Sequence, residues 1–175
     1  MATTTAPDRA RAPIIISALL GPDDFGWLNE LRRAHFPPER NQLDAHLTLF
    51  HHLPPSIEPE LKQRLSLLTR CRPPTAMAEG IINLGRGTAI RIGSPALALL
   101  REELAEAFAD LLIPQDAAPW RPHVTIQNKV TPEEARALQN RLAQEFRARP
   151  VRITGLAAWW YRGGPWELLA RYPFR

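Results

Sequence analysis

Two short stretches of the chain carry the same pair of reactive residues two positions apart. AHLTLF, Ala45 to Phe50, holds His46 and Thr48, and RPHVTI, Arg121 to Ile126, holds His123 and Thr125. Both stretches read as β-strands, in which residues i and i+2 share a face, so each His stands beside its Thr. The intervening Leu47, Leu49, Val124 and Ile126 are apolar and mark the core-facing side, which leaves the His-Thr faces to a cleft or to solvent. Two imidazoles across a cleft suit phosphoester cleavage. A neutral one takes the proton of the attacking hydroxyl while a protonated one delivers a proton to the leaving oxygen. The nucleophile then belongs to the reaction partner, as a ribose 2′-hydroxyl or a water opening a 2′,3′-cyclic phosphate, and neither a protein nucleophile nor a metal is required. The two Thr hydroxyls can donate to the non-bridging phosphate oxygens, each contributing roughly 2–4 kcal/mol in the transition state.

The elements around these strands repeat as well. Pro13 to Leu20 reads as a buried first strand closed by Gly21-Pro22, and Asp23 or Asp24 is expected to cap a helix stopped by Pro37-Pro38. After the first His-Thr strand comes a helix through Ile57, Leu61, Leu65 and Leu68, then two strands around Gly85-Arg86-Gly87, then a helix capped by Ser94. After the second comes a helix opened by Thr131-Pro132-Glu133-Glu134, then two strands around Gly163-Gly164. The distance from His46 to Gly85 is 39 residues and that from His123 to Gly163 is 40, an internal duplication over roughly 45–93 and 122–172. Two such units pack most simply about a pseudo-two-fold axis. The expected fold is therefore α+β and bilobal, two related β-sheet and helix lobes around a central cleft, forming one domain over 13–175 behind a disordered tail at 1–12.

Composition narrows the context. Of 175 residues, 45% are hydrophobic, enough for a globular core. The apolar run at Ile14 to Leu20 is far shorter than the roughly 20 residues of a membrane span, and no signal-peptide pattern precedes it, so a cytoplasmic protein is expected. Cys71 is the only cysteine, which excludes an intrachain disulfide and a cysteine-based zinc site. A net charge of +4, carried almost wholly by arginine, permits an anionic substrate. His46, His51 and His52 with Asp44 invite a zinc reading, but strand alternation separates His51 from the other two, so no metal and no cofactor is expected.

HLTL at His46 to Leu49 and HVTI at His123 to Ile126 resemble the paired His-x-Thr-x signature of the 2H phosphoesterases, in the branch called 2′-5′ RNA ligase-like. The resemblance runs over nearly the whole chain from Pro13, and YRGGPWELLARYPF, Tyr161 to Phe174, is similar to the closing hairpin of that branch. It implies the bilobal fold with a metal-independent site between the lobes, His46 and His123 as the acid-base pair, and Thr48 and Thr125 as phosphate binders. The implied substrate is a ribonucleotide 2′,3′-cyclic phosphate or a 2′-5′ phosphodiester, with reverse RNA ligation open to the same residues.

Further residues are placed near the site by position. Arg121 shares a face with His123 and suits a phosphate. Phe50 and His52 extend the face of His46, Phe50 more as packing than as a ring for a base. Trp159, Trp160, Tyr161 and Trp166 crowd the last hairpin, where Tyr161 and Trp166 could stack on a nucleotide. His51 is assigned to local packing. The partner is an RNA end or a small nucleotide, with no membrane and no obligate protein partner. Two other readings remain: a non-catalytic RNA-binding module, which calls for a continuous arginine stripe, and a hydrolase of small cyclic phosphates in metabolism.

Overall fold

A computed structural model describes residues 12–175 of the chain. The tail expected over 1–12 therefore lies outside the described residues except for Ala12, which is buried. In chain order the described residues form β1 (Ile14–Leu20), α1 (Pro22–His35), β2 (Leu47–Leu53), α2 (Glu58–Leu68), β3 (Thr75–Asn83) and β4 (Thr88–Gly93). There follow α3 (Pro95–Ala107), α4 (Pro114–Ala117), β5 (His123–Gln127), α5 (Pro132–Glu145), β6 (Arg149–Trp160) and β7 (Glu167–Pro173). The class is α+β. All strands lie in one antiparallel sheet of order β1-β2-β5-β4-β3-β6-β7, and β1 also pairs with β6, so the first six strands close into a barrel-like ring with β7 added outside. The two His-Thr strands are direct neighbours in this sheet, β2 beside β5, with β4 on the other side of β5 and β3 paired to β6.

Local chemistry explains the elements. The β-branched Ile14, Ile15 and Ile16 suit β1, which is buried along most of its length. Gly21 then leads into α1, where Pro22 occupies the first turn with its fixed φ and no N–H to lose. Asp23 and Asp24 do not cap α1. They sit inside its first turn, where they complement the helix dipole, and buried Asp24 accepts hydrogen bonds from the backbone N–H of Arg152 at 2.7 Å and the Arg149 guanidinium at 3.2 Å. Ser94 caps α3, accepting from the Leu97 N–H at 3.3 Å, and Thr131 with Glu134 forms a reciprocal capping box on α5. Gly85, at φ 82°, and Gly163, at φ 84°, turn the β3–β4 and β6–β7 hairpins through backbone that a Cβ would disfavour.

Leu47, Leu49, Val124 and Ile126 are fully buried, together with Ile14, Ile16, Ile90 and Ile92, and each side chain contributes about 1.5–3 kcal/mol by leaving water. The faces opposite these core residues are thereby fixed as the cleft side. No helix among the described residues is long and apolar enough to cross a membrane.

Candidate active site

Leu47 of β2 is the register partner of Val124 of β5. Antiparallel pairing then sets His46 opposite Thr125 and Thr48 opposite His123. The imidazoles become diagonal neighbours, a relation that spaces side chains by about 7–8 Å. All four residues line one cavity of about 410 Å³, so the two pairs that sequence placed 77 residues apart form one cleft.

Each imidazole is held in the same way. His46 Nδ1 donates to the carbonyl of Asp44 at 2.7 Å, and His123 Nδ1 donates to the carbonyl of Arg121 at 2.6 Å. A carbonyl only accepts, so both rings must carry their proton on Nδ1 and keep Nε2 as the free edge. In each case the orienting group is the backbone two residues earlier.

Simple alternation fails further along β2. Against β1 the register runs Ser17↔Thr48, Ile16↔Phe50 and Ile14↔Leu53, two slips that mark β-bulges. Leu49 and Phe50 are consequently both fully buried, and Phe50 lies beneath the Arg101 guanidinium at 4.6 Å instead of lining the cleft. His52 is exposed and is not among the cleft residues, whereas His51 is. Asp116 of α4, 1% exposed, accepts from His51 Nδ1 at 2.9 Å and from the backbone N–H groups of His51 and His52.

Two buried arginines brace the His-Thr strands, one reaching β5 and the other β2. Arg32 of α1 donates to the Thr125 carbonyl at 2.9 Å, and Arg101 of α3 donates to the Leu49 carbonyl at 3.1 Å and the Asp116 carbonyl at 2.6 Å. Trp120 Nε1 donates to the Thr48 carbonyl at 3.0 Å. Arg121 is exposed at the cleft. Trp166 covers His46, with ring centroids 4.6 Å apart at a tilt of 57°, and faces Trp159 at 6.1 Å. Tyr161 is exposed in an adjoining cavity that also reaches His46, Thr125 and Arg32. Trp160 packs on the core.

The model of the 2′-5′ RNA ligase superfamily matches residues 21–165, most of the chain and both His-Thr strands. The chain belongs to this superfamily, the 2H phosphoesterases. No curated protein matches it. Among solved structures it is similar to the Thermus thermophilus protein TT0787, at 18% identity and TM-score 0.64, over 93% of this chain and 98% of that one. It is also similar to Escherichia coli LigT solved with 3′-AMP, at 20% identity and TM-score 0.57, over 94% and 98%. A structure described as a phosphoesterase matches at 21% identity and TM-score 0.55, over 93% and 98%.

Within this superfamily member the proton affinity of His46 is depressed. Burial pushes His46 down from 6.5 to about 4, the bond to the Asp44 carbonyl opposes this, and the positive charge of Arg32 adds to it, as do His51 and His123 when protonated. The ring keeps an open edge on the cleft, but Trp166 and the surrounding strands crowd its remaining sides. Burial pushes the Asp116 carboxylate up, yet the hydrogen bonds from His51 and from two backbone N–H groups outweigh it and hold it below the usual range. Among the described residues no three His, Cys, Asp or Glu side chains gather as metal ligands.

Arg32, Arg101, Asp116 and Trp120 were not singled out by the sequence. The first two look like ordinary charges on amphipathic helices, and Asp116 lies 65 residues from the histidine it holds.

Proposed function

We propose that the protein is a metal-independent phosphoesterase that uses His46 and His123 as general base and general acid on a ribonucleotide 2′,3′-cyclic phosphate or a 2′-5′ phosphodiester. The observation that carries the reading is the pair of diagonal imidazoles, each fixed with Nδ1–H on a backbone carbonyl and Nε2 free at one cleft. His46, kept neutral by burial, takes the proton of the attacking water. The water oxygen bonds to phosphorus, the bond from phosphorus to one ribose oxygen breaks, and His123 delivers a proton to that oxygen. Thr48 and Thr125 donate to the non-bridging oxygens as charge gathers there. Reverse ligation exchanges the two roles, since the same groups serve both directions.

A cavity of about 440 Å³ on the other side of His46, walled by Trp159, Trp166 and Phe25, offers stacking for a base. LigT has been crystallised with 3′-AMP and with NADP+, which supports a nucleotide ligand for a protein of this fold. The ring order supports two pseudo-two-fold-related lobes within one unit over 13–175: β4 lies between β3 and β5 as β1 lies between β6 and β2. The repeat is then drawn as β1-α1-β2-α2-β3 and β4-α3-β5-α5-β6, a different frame from 45–93 and 122–172.

The test is hydrolysis of 2′,3′-cyclic mononucleotides beside 2′-5′ and 3′-5′ dinucleotides, in EDTA, by wild type, His46→Ala and His123→Ala. Turnover that persists in EDTA and falls by roughly 10² or more in each folded variant is expected. Loss of turnover in EDTA would overturn the metal-independent mechanism. RNA binding without turnover of any member would replace the enzyme with a binding module.

A further inference from the structure

We infer that His51, held by Asp116, forms a subsite for a second phosphate of the substrate, beside the one that reacts. The inference rests on the phosphoesterase reading of the cleft and adds a specificity-determining residue to it.

The β-bulges of β2 bring His51 to the same cavity as His46, Thr48 and His123. Regular alternation would have sent it to the opposite face. Its ring is then fixed with unusual care for a surface residue. The Asp116 carboxylate, almost wholly buried, receives the ring Nδ1–H at 2.9 Å and the His51 and His52 backbone N–H groups at 2.9–3.0 Å. Asp116 is itself placed by Arg101, whose guanidinium donates to its carbonyl at 2.6 Å. The backbone bonds alone would tether α4 to β2. Orienting the imidazole is a separate matter, because it commits Nδ1 and leaves Nε2 free, the condition in which the two reacting histidines are also held.

The surroundings favour an anion. Arg121 is exposed at this cavity, Arg101 lies in its wall, and its one carboxylate, Asp116, already receives three donors. A volume of about 410 Å³ falls in the range of small-ligand sites, beyond the needs of a lone phosphate. An imidazole on a buried carboxylate can take a proton at Nε2 as an anion arrives, and Arg121 supplies a second charged donor. The ligand class is a nucleotide carrying a further phosphate next to the reacting one, such as a 5′-phosphate beside the 2′,3′-linkage.

The experiment is calorimetric binding of adenosine 3′,5′-bisphosphate and of 3′-AMP to wild type and to His51→Asn. The Asn amide nitrogen stands near the position of Nδ1, so this variant keeps the bond to Asp116 and removes Nε2. Wild type is expected to bind the bisphosphate roughly tenfold more tightly than the monophosphate, the effect of one charge-assisted hydrogen bond. In His51→Asn the ratio should fall to about twofold, with the melting temperature unchanged. Equal affinity of wild type for the two ligands, or an undiminished ratio in His51→Asn, would overturn the inference. Absence of cyclic-nucleotide turnover with the binding ratio intact would count against the phosphoesterase reading alone.

Discussion

Replacing Trp166 by Ala is expected to raise the proton affinity of His46 and to move the acid limb of the pH-rate profile with it. His46 lies at about 4 against an ordinary 6.5, and at 1.36 kcal/mol per pH unit the net penalty on its charged form, of which burial is the largest cause, amounts to roughly 3 kcal/mol. Trp166 covers one face of the imidazole at 4.6 Å, with strand backbone and Leu43 nearby on other sides of the adjoining cavities. Exposing that face should return a third to a half of the lost hydration, a rise of roughly one pH unit or about 1.4 kcal/mol. Loss of the aromatic face also removes attraction for an imidazolium, which lowers the affinity, but hydration is the larger effect because burial is the first cause of the depression. NMR titration of the His46 ring reads the change directly. The acid limb of kcat/KM, which reports the free enzyme, should follow it upward. A ring that titrates at the wild-type pH, or lower, after the substitution would refute the burial account and with it the assignment of His46 as the base.

The same depression has a consequence for folding. The unfolded chain takes up a proton at His46 near 6.5 and the folded chain only near 4, so the unfolded state binds more protons between these values. Wild type should therefore lose stability as pH falls from 6.5 to 4, by up to about 3 kcal/mol and less as the open edge is hydrated, whereas His46→Gln should lose less in urea titrations over that window. Arg101→Met should lower stability by roughly 2–4 kcal/mol in the same assay, because the Leu49 and Asp116 carbonyls lose their donors within the protein. Gly87→Ala should cost about 2 kcal/mol or more, since a Cβ there collides with the Gln127 carbonyl and meets the Asn128 Cα at 2.8 Å, whereas Gly164→Ala, which meets nothing within 4 Å, should be nearly neutral.

The facing of the two His-Thr strands was the most legible part of the sequence because it depends on period alone. His-x-Thr beside Leu-x-Leu fixes which side of a strand faces the core, and burial of Leu47, Leu49, Val124 and Ile126 agrees. Caps and glycine turns were legible for a similar reason: Ser94, Thr131, Gly85 and Gly163 act within a few residues of themselves. Alternation ceased to be a guide at Phe50, where slips in register set by β1 bury that ring and bring His51 to the cleft. Nothing near Phe50 in the sequence announces a bulge. The pairing of His51 with Asp116 and the reach of Arg32 to β5 and of Arg101 to β2 are tertiary, between residues 52 to 93 positions apart, and leave no local trace.

The position of β1 in the ring bears on how the chain folds as it is synthesised. Its outer partner is β6, with Ile14 paired to Trp160, so β1 must wait for a strand made much later. Until then one long edge of Ile-rich strand has open N–H and C=O groups, the kind of edge on which other chains add. Closure across so large a sequence separation is slow. A nascent chain that has passed the Gly85 turn already holds His46 and Thr48 but lacks both β5 and the strand that seals β1. Assembly of the cleft and protection of this edge therefore wait for β5 and β6, and slowing elongation beyond the Gly85 turn would prolong the vulnerable interval.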